Sequence, residues 1–86
     1  MLFRSVVATG NGVIKEIGRS SSFGNYIKIE HTSAGYVTLY AHLSRFESGM
    51  RRGNSVSRGD VIAYSGNTGL SKAPHLHYEE IGRAHV

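Results

Sequence analysis

Apolar and polar residues alternate along this chain in short bursts separated by Gly, Asn and Ser, a pattern of brief strands joined by tight turns. Val13 to Ile17 reads as one strand. Tyr26-Ile27-Lys28-Ile29-Glu30 places Ile27 and Ile29 on one face and Tyr26, Lys28 and Glu30 on the other. Thr32-Ser33-Ala34-Gly35 predicts a hairpin turn into a strand from Tyr36 to Leu43. Strict alternation there puts Val37, Leu39, Ala41 and Leu43 on one side and Thr38, Tyr40 and His42 on the other. Val61 to Tyr64 and His75 to Tyr78 complete the expected strands. Nowhere does a 3.6-residue period persist long enough for a stable helix. The expected fold class is therefore all-β.

Composition narrows the classes without choosing among them. The chain has 86 residues, 40% hydrophobic and 19% charged, which suits one small folded domain. The absence of cysteine excludes a disulfide scaffold, a thiolate metal site and a Cys nucleophile. No apolar run reaches the roughly 20 residues of a membrane-spanning helix. A formal net charge of +4 comes without a basic stripe interleaved with aromatics, so no nucleic-acid partner is expected. Arg51, Arg52 and Arg58 read as solvated loop residues, with the option of helping the domain approach an anionic polymer.

Candidate chemistry concentrates in the histidines. In a strand, His75 and His77 project from one face roughly 7 Å apart, at about 3.3 Å rise per residue, while Leu76 points the other way. Two imidazoles so placed suit a metal ligand beside a general acid or base, although a His-x-His can equally be a plain polar face. His42, assigned to the polar face of its strand with Tyr40 beside it, adds a third imidazole that can converge on the same groove. His31 falls at a hairpin end on the Ile27 and Ile29 side, where a hydrogen-bonded structural role is expected. His85 lies in a terminal tail that is set aside below.

These blocks carry a family resemblance. Gly24-Asn25-Tyr26 with Ile29-x-His31, Tyr40-Ala41-His42-Leu43-Ser44, Gly59-Asp60-Val61-Ile62, Gly66-Asn67-Thr68-Gly69 and Pro74-His75-Leu76-His77-Tyr78-Glu79 resemble, in order and spacing, the lysostaphin-type zinc metallopeptidases. The resemblance runs from about Val6 to Glu79. It implies an antiparallel sheet or small β-sandwich with a groove over Zn2+, and hydrolysis of peptide bonds in peptidoglycan stems or cross-bridges. It also implies His77 as a metal ligand and His42 and His75 as catalytic residues flanking the metal-bound water. The family's other two zinc ligands, a His and an Asp four residues apart, come from an upstream block. Here no His precedes His31 and no Asp precedes Asp60. The chain is thus expected to be a domain truncated on its N-terminal side and inactive alone, from a protein of the bacterial cell envelope, periplasmic or extracellular.

Its ends support that expectation. Leu2-Phe3-Arg4-Ser5 can be written CTC TTC CGA TCT, with GTG as the start codon for Met1. The reverse complement, in a shifted frame, encodes Ile-Gly-Arg-Ala and the first base of a His codon, in line with Ile81 to His85. Inverted matching ends are what a sequencing adapter ligated to both sides of an insert would produce. Residues 6–79 are accordingly expected to be a partial peptidase domain, and 1–5 and 81–86 to be non-native.

Two further readings compete. A non-catalytic regulatory or wall-binding module of the same fold, contacting other wall hydrolases, would also lack metal ligands, but it has no chemical need for His42, His75 and His77 together. A lipoyl- or biotinyl-carrier domain shares the Gly59-Asp60 turn, yet Lys15, Lys28 and Lys72 have no hairpin-tip setting. Gly66 to Gly69 lacks the Gly-Lys-Ser/Thr of a phosphate loop and reads as a β-turn.

Overall fold

The computed structural model describes the backbone of residues 3–66 and 77–83 and the side chains of residues 4–65. Every regular element in it is a strand: β1 Phe3–Val7, β2 Gly12–Ser20, β3 Gly24–His31, β4 Tyr36–Leu43, β5 Arg45–Phe46, β6 Ser55–Val56, β7 Val61–Gly66 and β8 His77–Arg83. They form a five-stranded sheet in the order β6-β2-β3-β4-β8 and a three-stranded sheet in the order β1-β7-β5. Every pairing is antiparallel. The all-β expectation holds, and the expected Tyr36–Leu43 strand is β4 to the residue. The short strands β5 and β6 and the N-terminal β1, which takes in Phe3, Arg4 and Ser5, had no counterpart in the expected set. The last expected strand begins only at His77, because His75 and Leu76 lie outside the described residues, as does the Gly66 to Gly69 turn beyond its first residue.

One continuous core joins the two sheets. Val6, Ala8, Ile62 and Ala63 from the smaller sheet and its flank pack with Ile14, Ile27, Ile29, Tyr40, Leu43 and Val56 from the larger one. Ile27, Ile29 and Ile62 are fully excluded from solvent, each contributing about 1.5–3 kcal/mol of burial. The β3 alternation behaves as its sequence dictates, with Ile27 and Ile29 buried and Tyr26, Lys28 and Glu30 half-buried on the opposite face.

The alternation of β4 does not. Ile27 pairs with Tyr40, but Asn25 pairs with Leu43, so β4 carries one residue more than β3 across this interval. That bulge, at Ala41-His42, resets the side-chain parity. Leu43 therefore joins Tyr40 in the core instead of sharing a side with Val37, Leu39 and Ala41. Tyr40, expected on a polar face beside His42, is 1% exposed. Its hydroxyl accepts the Thr9 backbone N–H at 3.0 Å and lies 3.0 Å from Thr9 Oγ1. A phenol can be buried this deeply because its polar end is satisfied.

Glycine matters most at two places. At Gly12 an added Cβ would sit 2.5 Å from the Glu30 carbonyl oxygen, so only glycine lets β2 approach β3 there. At Gly24 a φ of 64° turns the chain into β3, beside the Cα of His42.

Candidate functional site around His42

His42 occupies the bulge with a φ of 59°, and it is the one non-glycine residue with positive φ among the described residues. Such a backbone costs an L-residue about 1–3 kcal/mol and persists only where its surroundings enforce it. The enforcing groups come from the β2–β3 turn. The His42 N–H donates to the Phe23 carbonyl at 2.7 Å. The Asn25 carboxamide donates to the carbonyls of Leu43 at 3.0 Å and Ser44 at 3.2 Å. The turn itself is held by the Ser20 hydroxyl, which accepts the Phe23 N–H at 2.9 Å. Thus Gly24-Asn25 and Tyr40-Ala41-His42-Leu43-Ser44, two separate sequence blocks, form one built unit. Its product is an exposed imidazole on a fixed backbone.

The register of β8 brings a second candidate close. His77 pairs with Ala41, the residue immediately before His42. The sheet thereby places two of the three expected site positions on adjacent strands. His75 lies outside the described residues.

His31 is put to a different use. It is 2% exposed, its Nδ1 lies 2.9 Å from the Asn11 carbonyl oxygen and its Nε2 2.9 Å from Thr38 Oγ1. The ring stacks on Tyr36 with centroids 4.7 Å apart. With Nδ1–H donating to the carbonyl and Nε2 accepting from the hydroxyl, both nitrogens are satisfied by a neutral ring. The Asn11 side chain in turn accepts the Arg58 N–H at 2.7 Å, which ties the β3 end to the turn before Gly59-Asp60. Asp60 closes that turn, accepting the Ser57 N–H at 2.8 Å. Gly59-Asp60 is therefore structural, and no carrier-type lysine accompanies it. Arg51, Arg52 and Arg58 are exposed in turns.

Among the described residues no group of three or more His, Cys, Asp or Glu is placed to hold a metal ion. His31 is committed on both nitrogens. The described residues do not fit a complete three-ligand site.

The sequence blocks did not reveal one contributor, Phe23, whose carbonyl fixes His42. The only sequence signal was the Gly24-Asn25-Tyr26 block, which marks the turn without saying what it holds.

With this geometry in view, the comparisons with known proteins converge. The model of peptidase family M23 matches residues 3–85, and the chain belongs to that family. It is 49% identical over 74 residues to the DD-carboxypeptidase/endopeptidase Mpg of Neisseria meningitidis, covering 86% of this chain and 16% of that protein. It is 44% identical over 78 residues to the peptidoglycan DD-endopeptidase ShyA of Vibrio cholerae, covering 91% and 17%. The catalytic domain of lysostaphin from Staphylococcus simulans superposes with a TM-score of 0.77 at 34% identity, covering 95% of this chain and 61% of that one. A zinc-containing peptidase from Vibrio cholerae gives 0.74 at 37% identity, covering 92% and 24%. The chain thus spans about a sixth of the length of these curated relatives.

Proposed function

We propose that this chain supplies the His42, His75 and His77 portion of a metallopeptidase site that hydrolyses peptide bonds of peptidoglycan in the bacterial cell envelope. Family membership and the activities named for Mpg and ShyA support the substrate class. The observation that carries the reading is His42: an exposed imidazole held in a costly backbone conformation, one residue from the partner of His77. Strain enforced by several hydrogen bonds around a reactive side chain is characteristic of functional sites. Zinc is the proposed metal, with His77 as this chain's donor and the remaining donors supplied from elsewhere in the protein. His42 and His75 would move protons at the reacting peptide, a role suited to imidazole near neutral pH.

The test uses the full-length peptidase, with metal content and muropeptide release measured together. His77→Ala is expected to lose the metal. His42→Ala and His75→Ala should retain it while turnover falls about 10²- to 10⁴-fold. Metal loss in all three variants, or full turnover in His42→Ala, would overturn the assignment. The 86-residue chain alone should bind zinc substoichiometrically and release no muropeptides. The second reading is a wall-binding module without catalysis, motivated by a sequence in which no His precedes His31 and no Asp precedes Asp60. Under that reading the full-length protein binds peptidoglycan and never takes up stoichiometric zinc.

A further inference from the structure

One polar cluster on the five-stranded sheet plays no part in the core or in holding His42. Tyr26 donates its hydroxyl hydrogen to Glu16 Oε1 at 3.1 Å, and Lys28 Nζ lies 3.7 Å from the same oxygen. Glu16 and Lys28 face each other across β2 and β3, and Tyr26 faces Gly18. The cluster borders the site. Tyr26 falls between the pairs Asn25–Leu43 and Ile27–Tyr40, opposite the bulge that carries His42. On the far side of that bulge β4 pairs with His77. At about 4.8 Å between strands, the phenol is based two strands, roughly 10 Å, from the His77 backbone. Its ring also packs edge-on against Phe23, the residue whose carbonyl fixes His42, with centroids 5.7 Å apart.

The shape of this strip suits an extended peptide. Gly18 gives it a floor without a side chain, where an added Cβ would meet nothing nearer than the Tyr26 ring at 3.9 Å. The phenol forms one wall. Its single hydrogen is committed to Glu16, so the oxygen is held in a fixed orientation as an acceptor. The carboxylate that accepts that hydrogen raises the Tyr26 phenol above the ordinary value of 10.0, with burial and the carboxylate's charge acting in the same direction. Glu16 and Lys28 offset each other, leaving the strip formally neutral. Recognition here would run through hydrogen bonding and ring contact and would depend little on salt.

We propose that Gly18 and Tyr26 form a subsite for the main chain of the peptide substrate, in which the Tyr26 hydroxyl oxygen accepts an amide N–H and Glu16 is the positioning residue that orients it. The subsite rests on the peptidase reading for its ligand, but it is tested by binding alone. The probe is an acetylated peptidoglycan stem pentapeptide, titrated into the 86-residue chain and followed by amide chemical shifts, with thermal melts confirming that each variant folds. The expected shifts centre on Gly18, Tyr26 and Lys28. Tyr26→Phe should weaken the dissociation constant about 3- to 10-fold, the range for one neutral hydrogen bond. Gly18→Val should weaken it further by filling the floor. Glu16→Gln, which still accepts from the phenol, should bind like the parent, whereas Glu16→Ala should follow Tyr26→Phe. Arg45→Ala on the other sheet should have no effect. Binding with shifts elsewhere and an unchanged Tyr26→Phe would overturn the subsite while leaving the peptidase reading intact, as would no binding at millimolar peptide. Muropeptide release by the full-length enzyme decides the peptidase reading separately.

Discussion

His31 and His42 stand at opposite ends of the β3–β4 pair and show two ways a sheet employs an imidazole. At His31 the side chain is the fixed part: buried, bonded through both nitrogens and stacked on Tyr36. At His42 the backbone is the fixed part, and the ring is exposed. The first arrangement converts side-chain bonds into stability. The second stores backbone strain in order to aim a side chain. Which histidine is structural therefore depends on which half of the residue the fold restrains.

The largest expected effect follows from removing the restrained ring. His31→Ala deletes both ring hydrogen bonds, strands the buried Thr38 hydroxyl and leaves a cavity beneath Tyr36. A loss of about 2–4 kcal/mol is expected, measured by urea unfolding. A change below about 1 kcal/mol would show that His31 is not the pin the geometry indicates. His42→Ala should fall well short of the His31→Ala loss, and that contrast is the comparison in its sharpest form.

A smaller effect is expected at Asn25, which belongs to the His42 side of the comparison. Asn25→Ala removes two carboxamide bonds to the Leu43 and Ser44 carbonyls and should cost about 1–2 kcal/mol. Asn25→Asp should cost more at neutral pH, because a carboxylate would then face two carbonyl oxygens with no hydrogen to donate. Equal losses for the two variants would mean that the carboxamide bonds do not hold the bulge.

Much of this was legible in advance and some was not, for physical reasons. Period-two alternation identified β3 and its buried isoleucines, because nothing interrupts that strand. It failed on β4, where the apolar pattern continues smoothly through an inserted residue. Strict alternation assigned Leu43 to the wrong side and Tyr40 to a polar face. The information that breaks the alternation sits well upstream of it, in the Asn25 carboxamide and the Phe23 carbonyl. No local periodicity can register a bond across strands. The two-residue strands β5 and β6 are too short for any period to show, and their pairing follows from tertiary placement. His31 was placed correctly because its hairpin-end position and its parity with Ile29 are both local facts. His42 was picked out for its residue type and its block, while the reason it is presentable, a positive φ enforced by a distant turn, was invisible.

The smallest effect isolates that last point. If the His42 backbone is strained because any Cβ is disfavoured at a φ of 59°, glycine at this position relieves the strain and alanine does not. Both substitutions remove the imidazole, so the difference between them reports the backbone alone, independent of every contact the ring makes. Glycine also loses more conformational freedom on folding, which offsets part of the relief. The balance should leave His42→Gly about 0.5–1 kcal/mol more stable than His42→Ala by urea unfolding. In the full-length peptidase the two variants should be equally impaired in muropeptide release. Greater stability together with lost turnover would mean that the bulge carries a side chain the fold itself would discard. A His42→Ala variant as stable as His42→Gly would show that the hydrogen bonds to the Phe23 carbonyl and from the Asn25 carboxamide hold an unstrained loop, and the distinction from His31 would then reduce to exposure.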